Sequence, residues 1–101
     1  MSQDEFAPRA TGSTVLTHEG GFHARPSIMF TQLAKRFSAK VWIGLSDQGP
    51  WTDAKSIVRV MALKASRQTT VFLAAEGSDA ADAIRALVRL VQSDFTNSRD
   101  Q

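Results

Sequence analysis

Residues 13–37 read STVLTHEGGFHARPSIMFTQLAKRF. Ser13 to His18 is rich in β-branched residues and alternates, the pattern of a strand. Glu19-Gly20-Gly21 breaks it. From Ala24 to Phe37, apolar residues recur at Met29, Leu33 and Phe37, with Ile28, Phe30 and Ala34 beside them, which is helical spacing. Pro26 suits the first helical turn, where a missing N–H forfeits no hydrogen bond. Ser38 and Ala39 are expected to end this helix.

Downstream, Val41, Ile43 and Leu45 alternate with Trp42 and Gly44 and predict a second strand. Asp47-Gln48-Gly49-Pro50 is a turn signal, and Trp51 to Asp53 could return as a short third strand. Ser56 precedes Ile57, Val60, Met61 and Leu63, which predicts a short helix capped by the serine. Thr69 to Ala75 is the fourth strand, with Val71 and Leu73 on one face and Phe72 on the other. After Gly77-Ser78-Asp79, the residues Ala80, Ile84, Leu87, Val88, Val91 and Phe95 form the clearest amphipathic stripe in the chain. The order β-α-β-β-α-β-α predicts an α+β fold, an antiparallel sheet of four strands with three helices on one face. A ferredoxin-like fold shares most of this order, so order alone does not fix function. Residues 1–12 read as a flexible tail, 13–96 as the domain and 97–101 as a frayed end.

Composition narrows the chemistry. A chain of 101 residues with 43% hydrophobic content makes a single domain with one core, too short for a separate nucleotide-binding half. The absence of cysteine excludes disulfides, thiolate metal sites and cysteine catalysis. Only His18 and His23 could offer imidazole to a metal, so neither metal nor cofactor is expected. Twelve basic against ten acidic residues leave a net charge of +2, which does not argue for nucleic acid. No signal-peptide pattern and no bilayer-length apolar run appear, so a soluble cytoplasmic protein without membrane insertion is expected.

The residues that carry chemistry are Gly20-Gly21-Phe22-His23-Ala24-Arg25-Pro26. A glycine turn leaves a strand, and a histidine stands directly before a helix. The N-terminus of a helix presents unpaired N–H groups and a partial positive charge. That environment favours a neutral, nucleophilic ring and welcomes an anion attached to it, phosphate above all. Arg25 can reach the same anion with its planar fork of donors. A histidine nucleophile beside a ready phosphate cradle suits reversible phosphoryl transfer. On these residues alone, a histidine before a helix is more often just a cap or a surface residue. No Walker-type glycine loop and no paired carboxylates for Mg²⁺ are present, so the phosphate donor would have to be another protein or a small phosphate compound.

Gly21-Phe22-His23-Ala24-Arg25-Pro26 resembles the active-site signature of the HPr family, the histidine-containing phosphocarriers of the phosphoenolpyruvate-dependent sugar phosphotransferase system. Lys55-Ser56-Ile57-Val58-Arg59-Val60-Met61-Ala62-Leu63 resembles the family's second signature, and Ala74 to Asp79 followed by a striped helix also matches. The resemblance implies an open-faced β-sandwich. It implies that His23 takes phosphate on Nδ1 from Enzyme I and passes it to a histidine of a IIA component, with Arg25 stabilising the phosphoryl group. It further implies regulatory phosphorylation of Ser56 where a dedicated HPr kinase/phosphorylase exists, and partner docking through Ile57, Val58, Arg59 and Met61. A monomer is expected.

Several positions depart from the family's common pattern. Lys64 and Gln68 stand where glycines are frequent, Arg59 replaces a glycine of many relatives, and Val58 a frequent Met or Phe. The loop Ser46 to Pro50 is slightly long, as in nitrogen-branch paralogues, which share the chemistry but have a regulatory output. An RNA-binding ferredoxin-like sheet is the remote alternative, with Trp42 and Phe72 as its candidate aromatics. His18 reads as a strand-end surface residue with no assigned function.

Overall fold

The strand, glycine turn and helix of residues 13–37 are all present in the computed structural model, which describes residues 8–96. The elements are β1 (Ala10–Leu16), α1 (Ala24–Ala34), β2 (Lys40–Gly44), β3 (Thr52–Asp53), α2 (Ile57–Ala62), β4 (Thr69–Glu76) and α3 (Ala80–Gln92). They form the expected β-α-β-β-α-β-α succession. The four strands make one antiparallel sheet in the order β1-β4-β2-β3. β4 is therefore central, which suits its run of fully buried Val71, Leu73, Ala74 and Ala75.

Alternation along the strands sends one set of side chains inward. Leu16, Val41, Ile43, Val71 and Leu73 are buried against Phe30 and Ala34 of α1, Val60 of α2, and Ala83, Ile84, Leu87 and Val91 of α3. The helices cover this face alone. Trp42 and Phe72, out of phase with the inward set, lie half-buried on the opposite face.

Several boundaries differ from the sequence reading. β1 begins at Ala10, inside the segment expected to be a tail, and Arg9 N–H already donates to Ala75 O at 2.8 Å. The cause is backbone pairing: Ala10, Thr11 and Gly12 oppose Ala75, Ala74 and Leu73, a register that small side chains do not advertise. Gly12 also lies so close to α3 that a Cβ would sit 2.7 Å from Ile84 Cγ2. The rest of the expected tail, residues 1–7, and the expected frayed end, residues 97–101, lie outside the described residues.

α1 stops at Ala34, where Arg36 and Phe37 N–H turn to the carbonyls of Leu33 and Ala34 in a tighter final turn. β2 ends at Gly44, and Leu45 is exposed. Phe95, the last member of the α3 stripe, lies beyond that helix. Asp94 and Phe95 adopt φ of 59° and 61°, which folds the Phe95 ring back into the core at 6% exposure.

Asp79 heads α3 without capping it. Its carboxylate instead accepts N–H bonds from Ser38 (2.9 Å) and Ala39 (2.8 Å), tying the α1–β2 turn to the β4–α3 turn. The Ser38 bond above all holds this carboxyl below its ordinary value, with a smaller opposing effect of burial and further help from Ala39, its own backbone N–H and Lys55.

Candidate functional site

The β1–α1 turn is built by glycine conformations. Gly20 and Gly21 have φ of 87° and 65°, a region L side chains seldom adopt. At Gly21 a Cβ would also meet Ala65 O at 2.1 Å. This close approach lets Phe22 N–H donate to Ala65 O at 3.0 Å, so the α2–β4 loop clamps the turn. Phe22 is buried against Phe30, ring centroids 5.1 Å apart. The residue after such an anchor is forced outward, and His23 is exposed.

His23 is the N-cap of α1, with extended backbone (φ −82°, ψ −166°). Its carbonyl accepts the N–H of Ser27 at 3.1 Å, but its side chain makes no capping bond. The amides of the first turn are therefore not closed off by the side chain that most N-caps would supply. Pro26 is buried in that turn, and Ser27, also buried, donates from Oγ to Phe22 O at 3.0 Å. Thr31 Oγ1 in turn donates to Ser27 O at 2.9 Å. The first two turns of α1 are thus pinned on their inner side while the outer side stays open. Arg25, one turn-edge away, is exposed and has no carboxylate partner among the described residues.

The Cδ2–Nε2 edge of the His23 ring lies on the side of Gly20, where a Cβ would stand 2.7 Å from Cδ2 and 3.2 Å from Nε2. The Nδ1–Cε1 side consequently faces away from the glycine turn. A second imidazole lies alongside: the ring of His18 is 5.3 Å from that of His23, centroid to centroid. The reading of His18 as a plain strand-end residue gave no hint of this, because the contact depends on the turn folding back.

Ser56 caps α2 as expected, its Oγ accepting the Arg59 N–H at 3.2 Å. Only Val60 of that helix is buried. Ile57, Val58 and Met61 are exposed at 36%, 74% and 39%, and Ile28 of the neighbouring α1 at 41%. Arg59 is exposed with them. Lys64 and Gln68 have φ of 54° and 73°. These are positions where glycine would fit without strain.

Residues 10–93 match the family model described as PTS HPr component phosphorylation site. The chain belongs to the HPr family. It is 40% identical over 75 residues to the phosphocarrier protein HPr of Neisseria meningitidis serogroup A, covering 74% of this chain and 82% of that one. It is 40% identical over 82 residues to the phosphocarrier protein HPr of Cupriavidus necator, covering 81% and 90%. In three dimensions it resembles the crystal structure of HPr-C-His from Thermoanaerobacter tengcongensis, with a TM-score of 0.80, 37% identity, and coverage of 88% and 98%. The open four-stranded sheet with three helices is the HPr fold, and the chain is a phosphocarrier of that family. No described helix is long and apolar enough to cross a membrane.

Proposed function

We propose that the chain serves the phosphoenolpyruvate-dependent sugar phosphotransferase system, taking a phosphoryl group from Enzyme I on His23 Nδ1 and passing it to a histidine of a IIA component. The observation that carries this reading is the exposed His23 at the start of α1, whose side chain leaves the first helical amides uncapped. In the accepting step the Nδ1 lone pair attacks phosphorus while Nε2 keeps its hydrogen. The bond from phosphorus to its carrier group on Enzyme I breaks, and the electron pair of that bond returns to the donor group. The added negative charge then sits at the positive end of α1, where helix N–H groups favour anions. Arg25, exposed and without a carboxylate partner among the described residues, supplies donors to the phosphoryl oxygens during transfer.

Ile57, Val58, Arg59 and Met61, joined by Ile28, form the docking face for both partners. Exposed apolar side chains clustered on two packed helices support this role. Ser56 is the regulatory position: a phosphate there would place about two negative charges beside Arg59 and the docking residues, weakening contact with an acidic partner.

The test is a reconstituted relay with Enzyme I and labelled phosphoenolpyruvate. Arg25→Ala should keep the fold and slow transfer by about tenfold to a hundredfold; an unchanged rate removes Arg25 from the chemistry. The nitrogen-branch reading draws on the Ser46 to Pro50 loop and on the non-glycine residues Lys64 and Gln68. Faster phosphorylation by the nitrogen-branch Enzyme I paralogue than by the sugar-branch enzyme would favour it.

A further inference from the structure

The two histidines of this chain are the only ones it has, and the fold brings their rings together. Their centroids are 5.3 Å apart and their planes inclined by 52°, within the range of packed aromatic pairs. His18 is itself held firmly. Its Nδ1 lies 2.8 Å from Glu19 O, and since a carbonyl only accepts, that nitrogen carries the hydrogen. The rings of Phe95 and His18 stand nearly perpendicular, with centroids 5.5 Å apart and planes at 86°. Phe95 is buried, packs on Phe22 at 5.8 Å, and is held by its N–H bond to Leu90 O at 3.0 Å. An unbroken series of rings therefore runs from Phe30 in the core through Phe22, Phe95 and His18 to His23.

His23 has the opposite circumstances. It is exposed, and its side chain makes no capping bond that would select one rotamer. Its ring has Gly20 on the side of the Cδ2–Nε2 edge and His18 alongside. A free surface histidine would sample several χ1 wells and both ring flips. Phosphoryl transfer needs one of them, since an accepting nitrogen turned aside loses the orientation that speeds the reaction.

We infer that His18 is a positioning residue for His23: its ring, braced by Glu19 O and Phe95, holds the acceptor imidazole in one orientation, with the Nδ1 side turned away from Gly20. This inference rests on His23 being the phosphoryl acceptor. It assigns the work to the ring of His18 as a packing surface rather than to its free nitrogen.

The experiment compares His18→Ala and His18→Phe with the wild-type chain in the Enzyme I relay, with urea unfolding of each as a check on the fold. His18→Ala should lower kcat for phosphorylation by about tenfold while leaving KM for the carrier near the wild-type value. His18→Phe keeps an aromatic ring against Phe95 and His23 and should restore most of that kcat. Each variant retains a single histidine, so its ring ¹⁵N and ¹H signals belong to His23 alone. They should broaden or shift toward free-imidazole values in His18→Ala and stay dispersed in His18→Phe. A wild-type kcat in His18→Ala overturns the inference, and so does an equal loss in both folded variants, which would assign the role to the nitrogen. If the wild-type chain takes phosphate on some residue other than His23, the acceptor assignment falls first and the inference with it.

Discussion

α1 and α2 begin in different ways. α2 is closed at its start by the Ser56 hydroxyl, which accepts the Arg59 N–H, and the helix needs that help because it is six residues long and buries only Val60. α1 is eleven residues long and buries Pro26, Ser27, Phe30, Thr31 and Ala34, so packing holds it without a cap. Its N-cap position is given to an imidazole that makes no capping bond. The contrast shows where the fold can leave polar groups unsatisfied. A long, well-packed helix tolerates an open end, and that open end is where an anion is best received. α3 is a third case: Asp79 stands at its head but spends its carboxylate on Ser38 and Ala39.

The sharpest way to break this arrangement is to remove the turn that presents His23. Gly21→Ala combines a left-handed backbone with a Cβ 2.1 Å from Ala65 O. It should destabilise the protein by about 2–4 kcal/mol in urea unfolding; a loss under about 1 kcal/mol would show that the Phe22–Ala65 clamp yields easily.

Next come the caps themselves. Ser56→Ala should lose about 1 kcal/mol, whereas His23→Ser, which gives α1 the cap it lacks, should gain a similar amount while ending phosphoryl transfer. Equal and opposite stability changes would confirm that the open start of α1 is kept at the expense of stability. No gain in His23→Ser would mean that the amides there are already satisfied.

Smaller is the effect expected of Lys64→Gly, at the residue following Leu63, the C-cap of α2. It relieves a φ of 54° and should stabilise by about 0.5–1 kcal/mol.

The Asp79 clamp should be visible mainly as a pH slope. Its folded-state value is depressed, so its contribution is present above the ordinary value of 3.8 and is lost as pH falls through the lower folded-state value. In Asp79→Ser, stability measured from pH 5 downward should fall less steeply than in the wild type.

Much of this was legible in the chain. Alternation placed β2 and β4, the 80–91 stripe placed α3, and Ser56 announced its own helix start. The glycine pair and Pro26 around His23 marked the turn into α1, because each demands a backbone few residues can supply. What the pattern could not carry were features created by distant contacts. Ala10 to Gly12 join the sheet through their backbone alone. Phe95 fits the stripe of α3 by spacing, yet it reaches the core by a left-handed turn after the helix ends. His18 became part of the site only once the glycine turn and Phe95 had brought it beside His23. Asp79 reads as a helix start, which is its position, but its bonds go to a turn some forty residues away.

Whether His23 carries the phosphoryl group is decided by mapping the phosphate after incubation with phosphoenolpyruvate and Enzyme I. One acid-labile, base-stable phosphate per chain on His23, with none taken by folded His23→Ala, is the predicted result. Retained labelling of that variant, or a phosphate mapped to any other residue, would contradict it.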